Sequence, residues 1–196
     1  MGTKETKIDI DIDTPSSFNP LDIFPNWIKA SQLQGGEYKP HPCGVYSQNI
    51  PKEYISGLSA IPYKEAEELG FYKLDFLHNN VYDMFTSKEE IDALIEIEPN
   101  WDILLMPSEQ VKLFQLSKHG DVLNQVRPKS IEDLADTIAL IRPGKRVFLD
   151  LYLKNKPEAR KILYAKTDGY YFKKSHAHAY ALVIVLQLHL ISEGIM

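Results

Sequence analysis

Hydrophobic and polar residues alternate strictly in a short segment near the amino terminus. From Lys7 to Asp13 the isoleucines occupy positions 8, 10 and 12, and the aspartates occupy positions 9, 11 and 13. Side chains two residues apart share a face of a strand, so this pattern predicts a strand with one apolar and one acidic face. A row of carboxylates repels itself unless cations lie among them, and such hard oxygen ligands suit Mg²⁺. The structural alternative is an exposed edge strand whose charges deter aggregation.

A second aspartate-bearing strand is predicted at residues 71–77, which read Phe-Tyr-Lys-Leu-Asp-Phe-Leu. Before it, residues 62–69 are typical of a short helix, because proline suits the first turn and Gly70 suits the position after the last. Alternation along the strand places Lys73 and Asp75 on the same face. Lys73 could therefore neutralise a phosphate or pair with an aspartate.

The pattern turns helical in the second half of the chain. Residues 14–40, rich in Pro, Ser, Gly and Asn, are expected to form a connection, and residues 44–48 a further strand. A capping box, Ser-Lys-Glu-Glu, predicts a helix from Lys88 to about Ile97. Serines that precede helical patterns are the predicted N-caps: Ser87, Ser108, Ser130 and Ser175.

Length and composition limit the organisation of the chain. At 196 residues it can form one domain or a compact two-lobed unit with a real core. With a single cysteine, Cys43, an intramolecular disulfide is impossible, and a reducing cytoplasm is the expected location. The polar amino terminus predicts no signal peptide. The apolar stretch 177–191 is interrupted by His178, Gln187 and His189, and it is expected to be a buried helix rather than a membrane span.

Charge is distributed unevenly along the sequence. The chain carries a net charge of -5, yet residues 142–174 hold ten basic and three acidic residues. A local positive field attracts phosphates and makes binding fall with salt. The alternative is a solvated basic loop with no ligand. His41, His176 and His178 invite a metal interpretation, but no Cys or His pair has the spacing of a zinc site.

Four sequence blocks, in order, resemble the alpha subunit of bacterial DNA polymerase III, the C-family replicative polymerase. They are His-Pro-Cys-Gly-Val at 41–45, Gly-Phe-Tyr-Lys-Leu-Asp-Phe-Leu at 70–77, the run 113–144 ending Arg-Pro-Gly, and Lys-Ser-His-Ala-His-Ala-Tyr-Ala-Leu at 174–182. The resemblance implies an α+β fragment with a palm-like region at 1–86, whose small sheet carries the acidic residues, and a mainly helical, fingers-like region at 87–196.

The resemblance also implies a catalytic site. The family's Asp-x-Asp strand and Lys-x-Asp-Phe-Leu strand correspond to Asp11, Asp13 and Asp75, with Asp9 as an alternative register. These carboxylates would hold two Mg²⁺ ions. The expected partners are primer-template DNA, a deoxynucleoside triphosphate and a second replication protein, with no membrane. Predicted nucleotide or DNA contacts are Lys73, Arg142, Lys145, Arg146, Lys174, Ser175, His176 and Tyr180.

The chain both matches the family's sequence blocks and departs from the family's pattern, so two hypotheses on its function remain. The chain is several times shorter than the family's alpha subunits, and it lacks a recognisable Gly-Ser segment for the incoming triphosphate. One hypothesis is a minimal or split nucleotidyltransferase that adds nucleotides to primed DNA by two-metal phosphoryl transfer. The other is a catalytically inactive relative that binds DNA or a replication protein. Retention of all three crowded carboxylates favours the first.

Overall fold

The computed structural model describes residues 10–165 and 172–196. The chain divides into two compact units, Met1–Met84 and Phe85–Met196. The first unit contains a five-stranded sheet and the second is built from helices, so the predicted α+β class is confirmed. Lys7, Ile8 and Asp9 of the predicted first strand lie outside the described residues.

The sheet of the first unit mixes parallel and antiparallel neighbours. Its strands are β1 (Ile10–Thr14), β2 (Ile28–Gln34), β3 (Glu37–Tyr46), β4 (Leu58–Pro62) and β5 (Leu74–His78). Their order across the sheet is β1-β5-β3-β2-β4. The pairs β1 with β5 and β2 with β4 are parallel, whereas β3 is antiparallel to both β2 and β5. The two acidic segments of the sequence are therefore adjacent strands.

The prediction of a connection over residues 14–40 was wrong. This stretch contains α1 (Pro20–Ile23), all of β2 and the start of β3. The β2–β3 hairpin turns at Gly35 and Gly36, whose φ angles of 61° and 84° suit glycine. The strand ends beside this turn are exposed, so polar residues there interrupt no core face. Because these strand ends are polar, the sequence pattern did not predict the strands.

The two faces of the sheet are covered by different side chains. On one face Val45, Leu74 and Phe76 pack with Phe18 and Trp27. On the other, Tyr46 and Ala30 pack with Ala66 of α2 (Tyr63–Glu68). The predicted short helix is thus confirmed, and Gly70 follows it with a φ of 87°. A 3-10 helix, Asn80–Met84, completes the unit.

The second unit is organised around two helices that pack together, α6 (Ile131–Leu140) and α9 (Lys174–Ser192). Every residue from Leu134 to Leu140 of α6 is buried, as are Ile184 and Leu188 of α9. Its helices are α3 (Lys88–Ile95), α4 (Pro107–Gln110), α5 (Gly120–Val126), α6 (Ile131–Leu140), α7 (Leu149–Lys154), α8 (Lys156–Leu163) and α9 (Lys174–Ser192), with 3-10 helices at Trp101–Leu105 and Arg146–Phe148.

Helix α9 contains the apolar stretch 177–191. By length and composition its 19 residues could cross a membrane, and half of the most apolar window is buried inside the protein. Its contacts with α6 and its share in the largest apolar cluster fit the prediction of a buried helix.

Two of the four predicted serine caps are confirmed. The Ser87 hydroxyl accepts a hydrogen bond from the Glu90 amide at 3.2 Å, and Ser130 accepts from the Asp133 amide at 3.1 Å. The prediction for Ser108 was wrong, because Pro107 fills the first helical position and Met106 is the N-cap. The prediction for Ser175 was also wrong, since α9 begins at Lys174 with Lys173 as its N-cap. The predicted turn at 168–169 lies outside the described residues.

Candidate functional site

The predicted catalytic aspartates lie on adjacent parallel strands. Asp11 of β1 is the register partner of Asp75 of β5, and Asp13 is the partner of Leu77. Residues paired in register on parallel strands point to the same face, and Asp13 shares that face by alternation. The apolar partners Ile10 and Leu74 point the other way. Sheet pairing therefore brings three carboxylates from distant parts of the sequence to one face.

Asp75 lies in a nearly enclosed polar environment. Its side chain is 14% exposed, and the Lys73 ammonium forms an ion pair with Oδ2. The Nδ1 atom of His41 lies 3.8 Å from Oδ1. Within the described part of the chain, Oδ1 itself is buried and has no hydrogen-bond partner. One carboxylate oxygen is thus neutralised and the other is available as a ligand.

A glycine on the neighbouring strand makes this arrangement possible. Gly44 of β3 is the register partner of Asp75. A Cβ at position 44 would overlap the Lys73 side chain and would lie 2.8 Å from His41 Nδ1. The Gly44 amide donates a hydrogen bond to the same Nδ1 at 3.0 Å. The missing side chain therefore leaves the space beside Gly44 in which the Lys73 side chain lies as it pairs with Asp75.

Burial and the surrounding charges shift several pKa values in this unit. Burial, reinforced by the Asp75 charge, raises the pKa of the Cys43 thiol to about 11. Burial, helped by the Lys73 charge, lowers the pKa of His41. Burial also raises the pKa of Tyr82 to about 12, with a smaller contribution from Asp13. At neutral pH the His41 imidazole and the Cys43 thiol next to Asp75 are thus both neutral.

The carboxylates fit divalent cations by donor type. Asp11, Asp13 and Asp75 offer hard oxygen atoms, which Mg²⁺ prefers. The buried, unpartnered Oδ1 of Asp75 is an acceptor whose desolvation is uncompensated, and a cation would compensate it. The Lys73 ammonium opposes cation binding, because it already neutralises the charge of the Asp75 carboxylate.

The predicted contacts of the second unit centre on Arg142. Its guanidinium carbon lies 4.4 Å from the centroid of the Phe172 ring and 5.6 Å from that of Tyr180. The Phe172 ring also meets the His176 ring, with centroids 6.3 Å apart. Among the described residues, Arg142 Nε and Nη2 are buried without a hydrogen-bond partner. A stacked guanidinium with unsatisfied donors is suited to an anion.

The other predicted basic contacts have protein partners. Lys145 is buried, and its ammonium donates to the Ile162 carbonyl at 3.1 Å, a geometry that favours a packing role. Arg146 forms an ion pair with Asp121, and the Lys174 ammonium lies 3.3 Å from Glu132 Oε1. Ser175 is exposed in the first turn of α9. The predicted residues thus lie in two different units, the aspartates and Lys73 in the first and the remaining predicted contacts in the second.

Comparison with known protein families identifies the family of this chain. The family model for the bacterial DNA polymerase III alpha subunit finger domain matches residues 56–178, which is more than half of the chain. This chain belongs to that finger-domain family. The matched range includes Asp75 and Arg142, whereas Asp11 and Asp13 lie before it.

Curated relatives agree with the family. The chain is 27% identical over 152 residues to DNA polymerase III subunit alpha of Borreliella burgdorferi, covering 65% of this chain and 13% of the relative. It is 26% identical over 113 residues to the protein of the same name from Treponema pallidum, covering 50% and 10% respectively. For the Bacillus subtilis protein the identity is 30% over 118 residues, covering 52% and 10%. The chain thus spans about a tenth of these alpha subunits.

The structure assembles two groups of polar residues that the sequence analysis of this polymerase relative did not bring together. His41 and Cys43 lie beside Asp75, and the three offer ligand atoms within 4.8 Å of one another. In the second unit, Asp136 is fully buried and accepts hydrogen bonds from Tyr152, Tyr164 and Arg160. The His-x-Cys spacing was visible, but its third member comes from another strand. The Asp136 partners are distant in sequence and left no local signal.

Proposed function

We propose that this chain supplies the carboxylate centre of a DNA polymerase-like nucleotidyltransferase that acts on primed DNA. The observation that supports it is the register of the sheet, in which Asp11 is the direct neighbour of Asp75. Membership of the polymerase III finger-domain family supports the same chemistry. Its substrates would be a primer-template and a deoxynucleoside triphosphate, and the cytoplasm is its proposed location.

Asp11, Asp13 and Asp75 would hold two Mg²⁺ ions, which would activate the attacking hydroxyl and stabilise the leaving group of an in-line displacement. The chain's own residues prepare that centre. Lys73 neutralises one oxygen of Asp75, which limits repulsion between carboxylates and leaves Oδ1 as the ligand atom. Without such compensation, crowded carboxylates are costly to bury.

Arg142 is our candidate for a phosphate contact. The Phe172 and Tyr180 rings hold its guanidinium in one orientation, and two of its nitrogen atoms are buried without an acceptor among the described residues. A phosphate oxygen would supply the missing acceptor through a charge-assisted hydrogen bond. Lys145, Arg146 and Lys174 already have protein partners and would contribute less.

Primer extension with Mg²⁺ or Mn²⁺ tests this function. Native protein should add nucleotides, and Asp75→Asn should abolish addition while Asp92→Asn, an exposed helix position, leaves it unchanged. Circular dichroism establishes that both variants fold. If native and Asp75→Asn proteins extend equally, the carboxylate centre has no catalytic role.

A catalytically inactive, DNA-binding or partner-binding relative is the second candidate. The Lys73–Asp75 ion pair favours it, because an ammonium that neutralises the carboxylate also competes with a cation. No extension by any variant, together with a gel shift of primed DNA by native protein, would select this function.

A further inference from the structure

We propose a second metal site beside the carboxylate pair, one that selects thiophilic metals such as Zn²⁺ over Mg²⁺. Its ligands are His41 Nδ1, Cys43 Sγ and Asp75 Oδ1. These atoms, one from each residue, all lie within 4.8 Å of one another. The site shares Asp75 with the proposed carboxylate centre, but it requires neither Asp11 nor Asp13.

The distances between these ligand atoms suit a tetrahedral ion. Zn²⁺ bonds of the usual lengths separate two ligands by about 3.4 to 3.6 Å. Here His41 Nδ1 lies 3.8 Å from Cys43 Sγ and 3.8 Å from Asp75 Oδ1. A small inward movement of side chains would complete the coordination. Water or a substrate oxygen could fill the fourth position.

The donor set determines which metal is selected. Imidazole and thiolate are ligands of Zn²⁺ and Co²⁺, whereas Mg²⁺ requires oxygen atoms. Binding would convert the Cys43 thiol to a thiolate and release its proton to solvent. The buried Oδ1 of Asp75, which has no hydrogen-bond partner among the described residues, would gain one positive neighbour.

Two features oppose metal binding and lower the expected affinity of the site. The Lys73 ammonium is bound to Asp75, and the Gly44 amide donates to His41 Nδ1. A metal at Nδ1 must replace that hydrogen bond, and it must tolerate the charge of Lys73. We therefore expect weaker binding than in a four-ligand structural site, and we expect Lys73→Met to strengthen it.

The site would also affect the proposed function. A metal bound by Cys43 would engage the one oxygen of Asp75 that Lys73 leaves available. Asp75 would then be unavailable to ions held with Asp11. Zn²⁺ should thus compete with Mn²⁺ more strongly in native protein than in Cys43→Ser, where Zn²⁺ can compete only at the carboxylates. This consequence alone rests on the proposed function.

Titration with Co²⁺, followed by its absorption spectrum, tests the site directly. Cys43 is the single cysteine of the chain, so a thiolate-to-cobalt band can come only from this position. Native protein should show the band at one equivalent, and Zn²⁺ should remove it. Cys43→Ser should abolish it, His41→Ala and Asp75→Asn should weaken it at least tenfold in affinity, and Lys73→Met should increase affinity.

His178→Ala is the matched control, because that histidine is exposed on α9 in the other unit, and it should leave the band unchanged. A native protein with no thiolate band would overturn the proposal. So would a band of equal strength in His41→Ala and Asp75→Asn, since Cys43 would then bind without its neighbours. Primer extension by native protein in Mg²⁺ is a separate result, so either proposal can fail alone.

Discussion

Some side chains of this protein form hydrogen bonds with residues that are distant in the sequence. Asp136 is fully buried in α6, yet its carboxylate receives Arg160 Nε at 2.6 Å and the hydroxyls of Tyr152 and Tyr164 at 3.0 Å each. Complete pairing compensates for the removal of this charge from water. The cap at Ser130 predicted the start of α6, but a buried carboxylate could not be predicted, because its partners come from α7, α8 and the residue that follows α8.

Removing this carboxylate should destabilise the fold strongly. Asp136→Ala removes the acceptor of the Tyr164 hydroxyl and of Arg160 Nε, while Tyr152 and Arg160 keep Asp133, so the free energy of unfolding should fall by about 3 kcal/mol. Asp121→Ala is the control, since the Asp121–Arg146 pair is about half exposed, and it should cost less than ~1 kcal/mol. Urea unfolding followed by circular dichroism measures both. Equal effects would contradict the assigned role of Asp136.

Cys43 should react slowly with alkylating agents at neutral pH. Burial, reinforced by Asp75, raises the pKa of its thiol to about 11, and the thiolate is the reactive form. The rate with iodoacetamide should keep rising with pH beyond 9. Asp75→Asn removes one cause of the shift, so it should lower the pKa and speed the reaction at pH 8. A rate that levels off near pH 8 in native protein would contradict this environment.

At the scale of elements, strong local signals predicted structure well. Ser87 and Ser130 cap helices because their hydroxyls accept the amide three residues later, a pattern contained within four residues. Strand β2 was missed because its exposed end is polar, and its place in the sheet depends on pairing with β3 and β4. Sequence analysis identified Asp11 and Asp75 as a pair only through family resemblance. Their register is set by long-range pairing.

The two serines near helix starts provide a matched test. Ser130→Ala removes the cap of α6 and should lower the free energy of unfolding by ~1 kcal/mol. Ser175→Ala changes an exposed first-turn position of α9 that is not the cap, so the free energy should change by less than about 0.5 kcal/mol. Thermal or urea unfolding of the two variants decides the question. A larger loss for Ser175→Ala would place the cap of α9 at that serine.

At the scale of the whole molecule, the uneven charge of the sequence is largely compensated in the fold. The basic segment 142–174 is partly helical, and several of its cations pair with acidic residues outside it. Arg160 contacts Glu132, Asp133 and Asp136, while Arg146 contacts Asp121. Counting charges along the chain therefore overestimated the field offered to phosphates. Arg142, stacked on aromatic rings, is a more specific candidate than the segment as a whole.

The two tyrosines that donate hydrogen bonds to Asp136 should make the protein sensitive to alkali. Burial and the Asp136 charge raise the pKa of Tyr152 and Tyr164 above the ordinary value. A raised folded-state pKa gives stability that is present below the unfolded pKa of about 10 and is lost as pH rises past it. The free energy of unfolding should be flat below about pH 9 and should fall above about pH 10. Tyr164→Phe should flatten that decline, whereas Tyr54→Phe, at a fully exposed position, should not.

Binding of Mn²⁺, followed by the loss of the free-ion signal in electron paramagnetic resonance, tests the carboxylate centre most directly. Native protein should bind Mn²⁺, Asp11→Asn and Asp75→Asn should each weaken binding at least tenfold, and the double variant should lose little more, since both carboxylates serve one site. Cys43→Ser and Asp92→Asn should bind like native protein. Unchanged Mn²⁺ binding in Asp75→Asn would show that the register pairing of Asp11 with Asp75 forms no cation site.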